Sequence, residues 1–554
     1  MSKTIENNLV LKYLNILLIS SLCLSGLFYE FLGCIFCGIT IAILMLIKVK
    51  KKDLVIYINM ESITVMIIAC MYIITAFYGI DWGMSLIGFV RMLTVVFFMI
   101  CIMQCTIVER DRLIEIIPLV GCVMTLTGGV SIFIPSLRAI FFQAGRFGGF
   151  FLYANVYALF CVIGLIIICK KEVLSRKDIV KVTLLVVGIM MSGSRTAFLL
   201  LIFVSLSIAV KKRKMRLSII IIIGLSFLFA TLYVLYTGDI QNIGRFLTIS
   251  IRSSTFLGRM LYAKDGMVQI LKHPFGNGYL GYFFIEPVIQ TGVYSVRYIH
   301  NDYMQMALDI GVIPMILFIF IIIKNIFSKK QENWRRLIIF AMAVHLLVDF
   351  DLEFISMWMI LILLIDTNYG KNIHFRYSQI CLLPAVAAIY IGMAMIPRYV
   401  GNVILSYKLI PFYTEAGIDV LENETDSENA LRIADRLLKQ NQYIHQAYDI
   451  QAILAYSDGR YYDMEQKKWK SVQLQKYNMD AYNRYVTLIS RGISETKNTD
   501  ERKYLLQRVM GVKNELEKIK KNTDTLAWEI RDVPEFELSK EVSDYIEEVE
   551  KFVD

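Results

Sequence analysis

Four groups of polar residues in the first two thirds of the chain have side chains that could do chemistry. Arginine forks bind phosphate oxygens through paired hydrogen bonds and stay charged at any physiological pH. A histidine near neutrality can take a proton from a hydroxyl group. Together these residue types favour a site that binds a phosphate-bearing group beside a general base. The four groups are Gly145-Arg-Phe-Gly-Gly149 with Asn155, Ser192-Gly-Ser-Arg195, Arg259, and Arg297 with His300-Asn301.

Two of these groups lie within Thr237–Gln305, the only long hydrophilic segment in an otherwise apolar region. A loop of this length is usually functional or disordered, and its many aromatic residues argue against disorder. Arg259–Lys272 predicts an amphipathic helix, which the turn at 273–279 stops. The apolar stripe of this helix consists of Met260, Ala263, Met267 and Ile270.

The composition predicts an all-α, polytopic membrane protein. The chain has 554 residues, 56% of them hydrophobic, with a mean hydropathy of +0.55. Apolar runs of about twenty residues match the thickness of a bilayer. Thirteen transmembrane helices are predicted, at 9–28, 30–47, 56–78, 86–107, 113–134, 151–169, 179–193, 196–210, 217–236, 306–323, 337–348, 354–366 and 380–396.

The distribution of basic residues orients these spans. Six alternate connections hold 22 lysines and arginines, whereas the short connections 79–85 and 349–353 hold none. Connections rich in lysine and arginine stay in the cytoplasm. We therefore expect a cytoplasmic N-terminus, with the 237–305 loop and everything after about residue 397 outside.

Two pairs of spans are short. Segment 179–210 predicts two helices that turn back at Ser192–Arg195, and arms of about 15 residues reach only ~22 Å of a ~30 Å core. Arg195 would then lie near the depth of the lipid headgroups. The pair 337–366 turns at Asp349–Glu353, whose carboxylates we interpret as solvating a turn, with acceptor binding as the alternative. Arg91, about two turns into its span, could contact a phosphate or a headgroup.

The chain divides at about residue 397 into a membrane domain, 1–396, and a soluble helical domain, 397–554. Helices are predicted at 426–440, 443–457, 460–475, 479–493, 500–521 and 538–552. Ala-Tyr pairs at 447/448 and 481/482 are 34 residues apart, an interval typical of tetratricopeptide-like repeats. Plain helical hairpins explain the same pattern, so both interpretations stay open.

Cysteine and histidine usage excludes several classes of protein. All ten cysteines lie in apolar segments, so a disulfide scaffold is not expected. The five histidines are scattered without partner cysteines, so no metal site and no cofactor are predicted. No nucleic-acid partner is predicted either.

Taken in order, the polar motifs resemble those of the O-antigen ligase family. This family comprises bacterial membrane glycosyltransferases, including O-antigen ligases, polysaccharide polymerases and pilin oligosaccharyltransferases. The resemblance covers roughly residues 130–366. Its parts are Arg146 leading to the helix of Asn155, the Ser-Arg turn at Arg195, and an outer loop that opens with Arg259 and ends at His300-Asn301, before a helix with Gly311.

The resemblance implies transfer of a glycan from undecaprenyl diphosphate to a hydroxyl acceptor at the outer face of the bacterial cytoplasmic membrane, as an inverting glycosyltransferase. The lipid-linked glycan is then a substrate, and the partners are an acceptor glycan and membrane lipids. Arg195 and Arg259 match diphosphate-binding arginines, and His300 matches the catalytic base. The further substrate-binding candidates are Arg146, Asn155, Asn301, Arg297 and Arg91.

Several alternatives stay open. A polymerase and a ligase differ only in their acceptor. The last span and the outer domain 397–554 depart from the family pattern and could dock an acceptor or a protein partner. A flippase or transporter of lipid-linked sugars would carry mid-span charges and inverted repeats. A scaffold that recruits other enzymes through its outer domain is a third class.

Overall fold

The computed structural model describes residues 2–51, 54–237, 253–375 and 382–553, and 76% of it is helical, which confirms the all-α class. The first part of the predicted outer loop, 238–252, lies outside the described residues, as does Cys381. The helices before residue 375 are α1 Ser2–Cys23, α2 Glu30–Lys51, α3 Met60–Thr75, α4 Trp82–Met103, α5 Ile107–Ile114, α6 Ile116–Ser131, α7 Pro135–Phe141, α8 Ala154–Ile168, α9 Arg176–Ser192, α10 Arg195–Lys211, α11 Arg216–Thr237, α12 Ser254–Lys272, α13 Gly281–Ile289, α14 Asp302–Ile310, α15 Val312–Phe327, α16 Asn333–His345 and α17 Ile355–Leu364.

The polar tail folds as predicted into a series of helices, whose ends lie within a few residues of the predicted positions. The predicted helix at 443–457, for example, is observed as His445–Ser457. Each amphipathic helix buries one apolar face against its neighbours in the series. These helices, with the preceding apolar one, are α18 Leu382–Tyr399, α19 Val403–Leu409, α20 Thr414–Asn423, α21 Ser427–Gln440, α22 His445–Ser457, α23 Tyr461–Gln473, α24 Met479–Glu495, α25 Thr499–Lys521 and α26 Lys540–Val553.

Within the described residues, four helical segments are long and apolar enough to cross a membrane: Glu30–Val49, Trp82–Met103, Ile107–Ser131, which consists of the consecutive helices α5 and α6, and Leu382–Tyr399. Other apolar helices are shorter, such as Ala154–Ile168 and Ile355–Leu364. The predicted hairpin at 179–210 is observed as α9 and α10. Gly193, with φ of +59°, ends α9, and the Ser194 side chain caps α10.

Connections predicted to be cytoplasmic meet at one end of the helices. Strand β1 (Leu54–Ile58) follows the predicted connection 48–53 and overlaps the start of the predicted span 56–78. It pairs antiparallel with β4 (Lys371–Phe375), which lies in the predicted connection 366–379. Arg335 pairs with Asp111 at 2.5 Å, and Arg110 donates to the Thr367 hydroxyl at 2.6 Å. Strands β2 (Phe142–Gln143) and β3 (Arg146–Phe147) form a small hairpin in a connection predicted to lie at the other end.

The buried carboxylate of Asp81 joins the tail to that other end. It caps α4 by accepting from the Met84 backbone N–H at 3.0 Å. The same carboxylate accepts hydrogen bonds from Thr414 at 2.6 Å and from Gln440 and Asn441 at 3.1 Å each. These three donors come from the beginning of α20 and the end of α21, so the tail is docked onto the membrane domain through buried polar contacts.

The helix at the start of the outer loop is confirmed, but the face that it buries is not the predicted stripe. Met260 and Met267 are about half exposed, at 49% and 48%. The buried face instead includes Asp265 and Gln269, because each finds a polar partner in the following loop: Asp265 accepts from Thr291, and Gln269 donates to Asn277. Of the predicted stripe, Ile270 is buried.

Asp81→Ala is expected to loosen the docking of the tail, because it leaves several buried donors without an acceptor. Each such group costs about 1–3 kcal/mol. Limited proteolysis should cut the variant in the region after residue 399 at a lower protease concentration than wild type. The control is Asp426→Ala, which removes an exposed cap of α21 and no interdomain contact. Equal protease resistance of Asp81→Ala and wild type would contradict this role.

Candidate functional site

Asp349 lies at the centre of the polar cluster on the predicted outer side. It follows α16 in the turn at 349–353 and is 2% exposed. Its carboxylate accepts a hydrogen bond from the Tyr153 hydroxyl at 2.8 Å and another from the side-chain amide of Asn155. Arg259 on α12 places a guanidinium nitrogen 3.8 Å from the same carboxylate. Two sequence-predicted residues therefore meet at an acid that was not among the predicted site residues.

Arg146 extends this cluster to the hairpin of Arg195. Strand β3 presents Arg146, which donates to the Asn155 side-chain oxygen at 2.5 Å and to the Ser192 carbonyl at 2.8 Å. Ser192 ends α9, and Arg195 is the first residue of α10 three positions later. The structure thus links Arg146, Asn155 and the turn of Arg195 to Asp349 through direct hydrogen bonds.

His300 lies between the helix of Arg259 and the turn of Asp349. Its ring packs on Tyr262 of α12, with centroids 5.6 Å apart, and edge-to-face on Phe350 at 5.1 Å. Its Nδ1 atom is buried and has no hydrogen-bond partner within the described parts of the chain. The hydrogen-bonding capacity of this atom is therefore not used within the described parts of the chain.

Burial is the main reason why the imidazole of His300 is neutral. Burial lowers the pKa of His300, because it disfavours the charged form. The Asp349 carboxylate raises this pKa and the Arg259 guanidinium lowers it. The net result is a pKa of about 4. For Asp349, burial raises the pKa. His300, which is protonated in the acid range where this carboxyl titrates, and Arg259 outweigh burial, so the pKa of Asp349 lies below its ordinary value. At neutral pH the cluster therefore holds a carboxylate, a guanidinium and an uncharged imidazole.

Asn301 holds the segment of His300 in place. Its side chain accepts from the Met304 backbone N–H at 3.0 Å, which caps α14, and donates to the Leu347 carbonyl at 3.0 Å. The backbone N–H of Asp302 also donates to the Leu346 carbonyl at 2.8 Å. These contacts fix His300 relative to the turn that carries Asp349. The substrate-binding role predicted for Asn301 stays a prediction.

Arg91 and Arg297 lie in a second, carboxylate-rich cluster. Arg297 pairs with Glu30 at 2.9 Å and with Glu415 of the tail at 2.6 Å. Arg91 pairs with Glu353 at 3.3 Å and donates to the Glu353 carbonyl at 2.8 Å. Within the described residues, neither arginine hydrogen-bonds to Asp349. Their predicted contact with substrate stays a prediction, and their observed contacts are structural ion pairs.

The interpretation of Asp349, Asp351 and Glu353 as a solvated turn was wrong. All three are buried, at 2%, 0% and 7% exposed, because each has found a buried partner. Asp351, for example, lies 2.6 Å from the Nδ1 atom of His345, which is also buried. The sequence did carry a signal for buried, partnered acids. Three acids lie within five residues, between two short apolar segments and without a neighbouring lysine or arginine.

A comparison with protein families gives a match to the model described as O-antigen ligase, over residues 181–319. The resemblance to the O-antigen ligase family is confirmed. The O-antigen ligase segment contains Arg195, Arg259 and His300, whereas Arg146, Asn155 and Asp349 lie outside it and are joined to it by the contacts above. A comparison with curated proteins gave no match.

The O-antigen ligase match and the apolar helices together identify an integral membrane protein. They support a role of the ligase or polymerase type in the biosynthesis of surface polysaccharides. The family match also indicates glycosyl transfer as the class of reaction.

The opposing effects of Asp349 and Arg259 on His300 can be separated by substitution. Asp349→Asn removes the charge that raises the pKa of His300, so this pKa should fall further. Arg259→Gln removes a charge that lowers it, so this pKa should rise. The measurement is the pH dependence of carbethoxylation at His300, followed by peptide mass spectrometry, with the exposed His273 as an internal reference for the reagent. An identical titration of His300 in both variants would contradict the assigned geometry.

Proposed function

We propose that this protein is an inverting glycosyltransferase that moves a glycan from undecaprenyl diphosphate to a hydroxyl acceptor at the outer face of the bacterial cytoplasmic membrane. The observation that carries the proposal is that Arg259 pairs with Asp349 while His300 packs on the neighbouring Phe350, so that Asp349 and Arg259 both act on the charge of His300. Arg146 and Asn155 tie the turn of Arg195 to the same acid. Cationic groups and a general base thus converge, as the proposed reaction requires.

The reaction is a single displacement. The acceptor hydroxyl oxygen forms a bond to the anomeric carbon from the face opposite the leaving group, so the configuration inverts. The bond from that carbon to the diphosphate oxygen breaks, and its electron pair stays on undecaprenyl diphosphate. The hydroxyl proton passes to the neutral imidazole of His300. Arg259 and Arg195 bind diphosphate oxygens and stabilise the charge that develops there.

Binding of the diphosphate donor would itself raise the pKa of His300. In the free protein, the Arg259 guanidinium contributes to the low pKa of His300. A bound diphosphate offsets that positive charge, so the pKa of His300 rises and the imidazole becomes a stronger proton acceptor. Asp349 then stabilises the imidazolium that forms, because an opposite charge nearby favours the protonated state.

The proposal includes the predicted topology of thirteen spans, with a cytoplasmic N-terminus and the tail outside. It is supported by the contacts that gather the predicted cytoplasmic connections at one end, such as Arg335 with Asp111. We also propose that the tail is tetratricopeptide-like. This is supported by Ala447 and Ala481, which lie 34 residues apart and are both buried between helices.

Ligase and polymerase activities share this chemistry and are separated by the acceptor. In a strain that lacks the protein, loss of a polymerase leaves single repeat units on the final acceptor. Loss of a ligase leaves long chains on the lipid carrier. Sizing of the glycans on lipid and on the cell surface distinguishes the two.

Arg195→Ala, Arg259→Ala and His300→Ala are each expected to abolish the extracellular polymer without changing the protein level. For His300→Ala, the loss of a general base predicts a fall in turnover on the order of 10²–10⁴-fold. The control is Lys272→Ala, which removes an exposed cation from the same helix as Arg259. The measurement is the amount of polymer in complemented deletion strains. Normal polymer from all three variants would contradict the proposed function.

A further inference from the structure

One segment of the C-terminal domain, residues 524–531, packs directly on the helix that carries Arg259; we call this segment the clamp. Within it, Ala527 and Ile530 form a small buried cluster with Leu261, which lies two residues after Arg259 on α12. Ala527 and Leu261 are fully buried, and Ile530 is 7% exposed. The clamp therefore covers an apolar patch on the same helical turn as the arginine.

Polar contacts fix the clamp at both ends of this patch. Asp524 forms an ion pair with Lys264 of α12, one turn after Leu261. At the other end, the Arg531 backbone N–H donates to the Ser254 hydroxyl at 2.6 Å, at the beginning of α12. The contacts extend over most of the first three turns of the helix, so they restrain its position and its rotation on the face opposite to its packing on α14.

The loop that leads to His300 is held by the same clamp. The backbone N–H of Asp524 in the clamp donates to the Thr291 carbonyl at 2.8 Å. Outside the clamp, Lys476 of the same domain donates to the Gln290 carbonyl at 2.9 Å. A β-carbon added at Gly292 would lie 2.5 Å from the β-carbon of Ala527. Since that distance is far below van der Waals contact, the loop fits against the clamp only with glycine at this position.

The beginning of the tail holds the same loop at a second point. Glu415 pairs with Arg297 at 2.6 Å, three residues before His300, and with Arg398 at 3.2 Å. The C-terminal domain therefore contacts the segment of Arg259 and the segment of His300 independently. By contrast, the ion pair between Arg259 and Asp349 is long, at 3.8 Å, which leaves the placement of the arginine to the packing of its helix.

We propose that the C-terminal domain is a positioning element of the active site and that the clamp sets the placement of Arg259 relative to His300. The inference rests on the proposed function. A shift of about 1 Å in a group that binds the reacting substrate can cost on the order of 100-fold in rate. Release of the clamp would permit such a shift, since it would free one whole face of α12. The domain is then required for donor binding, even though its clamp supplies no group to the reaction.

The test compares two substitutions of buried isoleucines in the same domain. Ile530→Ser weakens the clamp, and Ile546→Ser weakens the packing of the last helix, α26, away from the clamp. With purified full-length protein and an undecaprenyl-diphosphate oligosaccharide, Ile530→Ser should raise the KM for the donor about tenfold or more. The KM for the acceptor should not change. Ile546→Ser should keep both values near wild type.

A second measurement reports on the clamp without using activity. Carbodiimide couples an amine to a carboxylate that contacts it, so it should join Lys264 to Asp524 in the wild type, as detected by peptide mass spectrometry. The coupling yield should fall in Ile530→Ser and in Gly292→Val, which disrupts the contact from the loop side. It should persist in Ile546→Ser.

The outcomes distinguish a failure of the proposed role of the clamp from a failure of the proposed function. If Ile530→Ser loses the coupling but keeps the wild-type donor KM, or if Ile546→Ser raises the donor KM equally, the clamp does not position Arg259. If the wild-type protein gives the coupled peptide but transfers no glycan, the proposed function fails instead. A raised donor KM together with lost coupling, in Ile530→Ser and Gly292→Val only, supports the inference.

Discussion

Burying a carboxylate costs on the order of several kcal/mol unless other groups compensate its charge. At Asp349 the compensation comes from Tyr153 and Asn155 at the beginning of α8 and from Arg259 on α12. These groups reach Asp349 only if the short helix pair, the outer loop and α8 are packed together. Because burial of the Asp349 carboxylate is unfavourable without these partners, the elements of the predicted outer face and the residues of the candidate site have to come together in the same step.

The same acid sets the balance of charge around His300. In the proposed reaction Arg259 binds a diphosphate, but a cation beside an imidazole lowers the pKa of the imidazole and weakens it as a base. Asp349 offsets part of that effect, which would let Arg259 bind phosphate and His300 accept a proton within one small cluster, as the proposed function requires. Arg91 and Arg297 are neutralised by their own carboxylates in the neighbouring cluster, where Arg297 also joins the preceding helices to Glu415 of the tail.

Much of this organisation could be predicted from the sequence, because apolar runs and amphipathic periods determine where helices lie. The turn at Ser192–Arg195 and the helices of the tail follow from such patterns. The hydrogen-bond and ion-pair partners of the polar side chains cannot be predicted from such local patterns. Asn155 and Asp349 are 194 residues apart, and Arg297 and Glu415 are 118 apart, so no local pattern connects them. The buried face of α12 was mispredicted for a related reason, since Asp265 is buried by Thr291, which lies 26 residues later in the following loop.

The most direct measurement is the mass of the products when purified protein is incubated with an undecaprenyl-diphosphate oligosaccharide and a hydroxyl acceptor. A cluster that pairs Arg259 with a neutral His300 predicts equal amounts of glycosylated acceptor and free undecaprenyl diphosphate, with inversion at the transferred sugar. Recovery of the lipid-linked oligosaccharide intact, moved across a vesicle membrane with no bond broken, would contradict the account and indicate a transporter.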